Sequence, residues 1–170
     1  MHRSLIASPV QRHLLVAAAP AALTTAALSA PLLSAFGYTL SAFAIVQFFS
    51  VVCHQDPART FWIVGAPVAV CARCLGIYLG AVAGAWITAP RGMILRLLAA
   101  TVLVSMLDFL AESAGLHGNW PLMRCALGGI LGASISALVM ASANPHCNHL
   151  SNTPFDAYYD IHPSKASAAK

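Results

Sequence analysis

"GAPVAVCARCLGIYLGAVAGAWI", residues 65–87, is an apolar run that carries a single charge, Arg73, and two cysteines. A helix of about 20 apolar residues crosses the hydrocarbon core of a bilayer, so the run predicts a membrane span. At helical spacing Cys71, Cys74 and Tyr78 fall at i, i+3 and i+7 and share one stripe. Gly76, Gly80 and Gly84 repeat every four residues on roughly the opposite face, a small-residue surface suited to close helix packing.

Outward from this run the rest of the chain reads the same way. Residues 14–36 are rich in Ala and Leu without a charge, with Pro20 and Pro31 expected to bend or end the helix. Residues 38–53 form a shorter, aromatic-rich apolar piece, read as an interfacial or re-entrant helix or as the continuation of a kinked first span. Further spans are predicted near 93–112 and 122–141, the last with Gly128, Gly132 and Ser136 as its small-residue face. The expectation is an all-α integral membrane protein, a compact bundle of about four transmembrane helices plus one short helix before Cys53. It comprises a cytoplasmic N-terminus (1–13), one membrane domain (14–143) and a flexible polar tail (144–170).

Composition agrees. The 170 residues are 59% hydrophobic and 8% charged, with a mean hydropathy of +0.75. Soluble domains carry about 25% charged residues. The net charge of +4 is scattered over termini and short loops, without a basic run, which excludes a nucleic-acid surface. The partner is the lipid bilayer, and the glycine faces offer a route to a homo-oligomer. A cleavable signal peptide is the rival reading of the N-terminus, with "ALSA" at 27–30 as the cleavage site, but the apolar stretch is longer than the usual 7–15 residues. Retention is expected. Arg3, Arg12, Arg91, Arg96, Lys165 and Lys170 fall on one side if the chain crosses four times, placing both termini in the cytoplasm.

That topology gathers the polar residues at the outer face. "CHQ" at residues 53–55 ends one apolar segment, and "CARC" at 71–74 opens the next. Asp108 and Glu112, on one stripe with Ser105, end the third span, while Asn119 and Arg124 open the fourth. Ionisable residues inside a membrane usually face a bundle interior, and one shared site is the economical reading. Asp108 is expected to pair with Arg124 across the short loop, and Arg73 to snorkel or meet Glu112.

Cys53, His54, Cys71 and Cys74 match a Cys₃His metal-ligand set, with zinc as the default and Cu(I) or an iron–sulfur centre as other thiophilic options; because adjacent residues bind one ion less easily than a spaced pair, His54 is alternatively read as a neighbour of the ligands. Gln55 is a poor ligand and is read as a hydrogen-bond partner; Arg59, Arg73 and Tyr78 support the site. The alternative is thiol–disulfide chemistry at Cys71 and Cys74, with Cys53 as partner thiol and a quinone as electron acceptor. Arg73 and the helix start would favour a thiolate there. A transport or purely structural role is the third reading. Simple packing of a buried thiol accounts for Cys125 and for Cys147 in "NPHCNH". No phosphate-binding glycine loop, G-x-S-x-G or HExxH occurs.

The stretch "CHQDPARTFWIVGAPVAVCARCLGIYLGAVAG", followed by "LDFLAESAGLHGNWPLMRCALGGILGA", resembles the signature of a family of small bacterial membrane proteins catalogued as domain of unknown function 2085. Its members carry CHQ, an Arg beside an aromatic residue, CARC-T-G-x-Y-x-G, and a second block with Asp, Asn, Arg and a glycine-rich helix. Here Leu75 stands in place of that Thr, and Thr60 where Ser is usual. The resemblance covers residues 48–141. It implies a membrane fold and no particular activity; the expected location is the cell (inner) membrane.

Overall fold

The computed structural model describes residues 8–116, 118 and 120–143. The tail expected to be flexible, and Asn119, lie outside the described residues. Helices α1 (Pro9–Ala35), α2 (Thr39–Ser50), α3 (Ala72–Gly84), α4 (Arg91–Ser113) and α5 (Pro121–Ala143) carry the chain. A two-stranded antiparallel hairpin, β1 (Trp62–Ile63) and β2 (Ala66–Pro67), lies between α2 and α3. The protein is an all-α membrane protein: α1, α4 and α5 are each long and apolar enough to cross a bilayer.

α1 runs unbroken through both prolines that were expected to bend or end it. A proline has no N–H to give the carbonyl four residues back, so that carbonyl needs another donor. Below Pro31 the carbonyl is that of Ala27, and it accepts the backbone N–H of Ala69 at 3.4 Å. Ala27 and Ala30 are fully buried, small enough for the approaching chain to come close. Past Ala35 the chain reverses at Gly37, whose φ of 85° suits a residue without a Cβ. α2 then folds back onto α1, burying Phe49 against Ala27 and Ala30. It is the short helix expected before Cys53.

The span expected over residues 65–87 is helical only in its C-terminal part. At about 1.5 Å per residue, α3 measures roughly 20 Å, short of the roughly 30 Å of hydrocarbon. Three features keep residues 65–71 out of a helix. Val64 and Gly65 turn the hairpin with φ of 50° and 77°. Pro67 cannot donate to a helical ladder. Cys71 is extended, with ψ of 160°, as the cap of α3. Yet Val68, Ala69 and Val70 are buried to 3% exposure or less. Non-helical backbone at membrane depth survives only where protein groups satisfy it. Val68 N–H donates to Phe61 O at 2.9 Å, Ala69 N–H to Ala27 O, and Ala69 O accepts from Gln55 Nε2 at 2.8 Å.

α3 and α5 run parallel and touch backbone to backbone. A Cβ on Gly76, Gly80 or Gly84 would collide with the carbonyl oxygens of Cys125, Gly129 and Ala133, and one on Gly128 or Gly132 with those of Arg73 and Ile77. The glycine faces that the sequence offers for a homo-oligomer are therefore covered within the chain. α4 lies against α5 along a narrow seam, with Ile94, Thr101 and Asp108 as its buried residues.

The helix ends sort into two groups. Arg12 donates to Ala143 O at 3.1 Å, and His13 hydrogen-bonds Ala85 O and stacks on Trp86, joining the start of α1 to the ends of α3 and α5. At the other end meet the end of α2, the starts of α3 and α5, and the end of α4.

Candidate metal centre

Three thiols converge where α2 ends and α3 begins. The sulfurs of Cys53, Cys71 and Cys74 all lie within 4.8 Å of one another. Cys71 and Cys74 meet because three residues of helix bring side chains to one face. Cys53 arrives from the loop after α2, buried beside Phe49 and Val70, and its sulfur accepts the backbone N–H of Cys71 at 3.2 Å. The Cys71 and Cys74 thiols, with that N–H, hold the Cys53 thiol well below its ordinary value of 9.0, against the opposing effect of burial. The start of α3 adds the positive end of its peptide dipoles. All three cysteines are free thiols. Tyr78 sits one turn beyond Cys74 and tilts against Phe49, closing the apolar side.

His54, expected as the fourth ligand, is not with them. It is exposed, and it does not belong to the three-residue group. Cys53 is buried while His54 beside it is exposed, so the two neighbouring side chains face different ways. Gln55 is the residue that ties the site together. Its φ of 53° is unusual for a side chain of its size, and its amide donates to Val46 O at 2.7 Å and Ala69 O at 2.8 Å. One side chain thus joins the last turn of α2 to the strand-like approach to Cys71. Asp56 makes the following turn rigid, accepting Ala58 N–H at 3.0 Å on its side chain and the Thr60 hydroxyl at 2.8 Å on its backbone.

A chain of charges flanks the thiols. Arg73, between the two helical cysteines, donates to Asp108 Oδ2 at 2.8 Å. Arg124 stands 3.4 Å from the same oxygen and pairs with Glu112. Glu112 also meets Arg59 at 3.1 Å, and Arg59 meets Asp56 at 3.3 Å. The expected Asp108–Arg124 pair is present, and Arg73 is the closer partner of Asp108. The side chains of Asp108 and Arg124 are each 5% exposed, and three arginines against three carboxylates leave the array neutral. Arg59–Glu112 and the part of Asp56 are the pieces that the sequence does not display, because they join segments far apart in the chain. Leu75, where the resemblance calls for Thr, is buried in the apolar core.

Residues 53–138 match the model of the family described as "Predicted membrane protein (DUF2085)". The chain belongs to that family. The match opens on Cys53 and takes in the three thiols and every charged partner described above. The chain is also 56% identical over 36 residues to an uncharacterized protein, MJ1492, of Methanocaldococcus jannaschii, covering 21% of this chain and 23% of that one. It is 54% identical over 33 residues to an uncharacterized protein of Methanothermobacter thermautotrophicus, covering 19% of this chain and 30% of that one. The matched stretches thus span less than a third of either relative. No solved structure matches the chain.

Proposed function

We propose that this membrane protein holds one thiophilic metal ion on Cys53, Cys71 and Cys74, at the outer face of the membrane, with both termini in the cytoplasm. The observation that carries the reading is the mutual approach of the three sulfurs. Sulfurs bound to one zinc at about 2.3 Å in a tetrahedron stand about 3.8 Å apart, so small rotations of these side chains reach a binding geometry. Three protein ligands leave a fourth position open, which suits zinc with an exchangeable ligand or Cu(I) with thiolates alone. The depressed Cys53 thiol supports the reading, since the thiolate is the form that binds.

Cobalt(II) as probe tests it. The metal should give sulfur-to-cobalt charge-transfer absorbance at one ion per chain, lost in Cys53→Ser, Cys71→Ser or Cys74→Ser and kept in His54→Ala and Cys125→Ser. Absorbance that survives all three serine variants would end the proposal. The Arg and Lys distribution supports the orientation, and reporter fusions after Thr60 and after Ala143 should read opposite sides of the membrane; the same side for both would refute it.

The depressed Cys53 thiol also suits a second reading, thiol–disulfide exchange, with Cys53 as thiolate against a Cys71–Cys74 disulfide and a membrane quinone as the electron acceptor. It predicts metal-free protein with that pair oxidised.

A further inference from the structure

Two separate stretches of chain supply the thiols, and each is moored by an arginine. Arg73 lies within the CARC turn itself and bonds Asp108 at 2.8 Å. Arg59 ends the 3₁₀ turn Pro57–Arg59, six positions after Cys53, and bonds Glu112 at 3.1 Å. Gln55 and Asp56 stiffen the intervening loop through the hydrogen bonds described above. Asp108 and Glu112 stand four residues apart on α4, one turn of one face. Arg124 of α5 reaches both carboxylates and locks their spacing. The two mooring points are thus one helical turn apart on a single helix.

We infer that Asp108 and Glu112 are positioning residues for the thiol site: they set the distance of Cys53 from Cys71 and Cys74 by gripping Arg59 and Arg73. The inference rests on the metal reading for its function and on the ion pairs for its geometry. A charged anchor suits this task because a paired, nearly dry carboxylate fixes direction as well as distance.

Groups that orient ligands from outside the coordination sphere typically govern metal affinity by about 10–100-fold. Cobalt(II) affinity of the full-length protein in detergent should accordingly fall about 10–100-fold in Asp108→Asn and in Glu112→Gln. The pair Asp108→Asn with Arg73→Gln should be no worse than the poorer single change, because both act on the Arg73–Asp108 link. Thr101→Val, which alters a buried residue of α4 whose hydroxyl bonds only its own helix at Leu97 O, should lower stability without changing affinity. Affinity within twofold of wild type in folded Asp108→Asn and Glu112→Gln would overturn the inference. So would an equal loss in Thr101→Val. Glu112, nearer the surface at 16% side-chain exposure, keeps the test open if Asp108→Asn fails to fold.

A metal-free readout separates this inference from the metal reading. Diamide removes two hydrogens from a thiol pair and leaves a disulfide, at a rate set by how close the sulfurs stand. Disulfide formation between Cys53 and the CARC cysteines should slow about tenfold in Glu112→Gln. If wild type binds no cobalt while this slowing is seen, the metal reading fails and the positioning role stands. Unchanged rates overturn the positioning role whatever the metal result.

Discussion

Cys53 sits at the centre of the chemistry because its sulfur faces two other thiols and a backbone N–H at the start of a helix. The consequence for stability has a definite sign. The folded thiol titrates below the value of about 9 that it has when unfolded, so its contribution is complete above that pH and is lost as pH falls. The stability difference between metal-free wild type and Cys53→Ala should therefore grow as pH rises from about 6 to about 9, by up to about 1.4 kcal/mol per unit. Unfolding in detergent–urea mixtures at several pH values measures it. A difference that is flat or shrinks with pH would show that Cys53 remains a protonated packing residue. At this scale the sequence was partly readable: Cys53, Cys71 and Cys74 stand out in an apolar chain. His54 stands apart from the three sulfurs, because side-chain direction, which adjacency in sequence does not display, decides which neighbour enters the site.

Among the elements, α3 shows most clearly what a sequence can and cannot convey. Its glycines at every fourth position announced close packing, and the structure supplies α5 as the partner. The short length of α3 was hidden, because residues 65–71 are as apolar as a helix. They stay extended through Gly65, Pro67 and tertiary hydrogen bonds from Ala27 and Gln55 that no local pattern reveals. Pro31 takes part in that arrangement by leaving Ala27 O to Ala69. The glycine contact makes a sharp comparison possible. Gly80→Ala would drive a methyl into the Gly129 carbonyl and should cost at least about 2 kcal/mol. Gly92→Ala, in the first turn of α4 with open space around it, should be neutral or gain up to about 1 kcal/mol. Equal thermal stabilities for the two variants would mean that α3 and α5 do not meet as described.

The whole molecule is asymmetric across its thickness. One end is closed by ordinary helix-end contacts of Arg12 and His13, whereas the other concentrates three thiols and a neutral array of three ion-paired arginines. The thiols lie at the end of the bundle where α2 stops and α3 starts. Such a layout suits a resident metal ion better than a surface for large partners. The direct test is the metal content of protein purified anaerobically, by elemental analysis, together with the number of thiols that a membrane-permeant maleimide labels before and after chelation. Close to one thiophilic metal ion per chain is expected, with Cys53, Cys71 and Cys74 protected until the metal is removed. Metal-free protein in which those three thiols label at once, or in which Cys71 and Cys74 are already a disulfide, would contradict it.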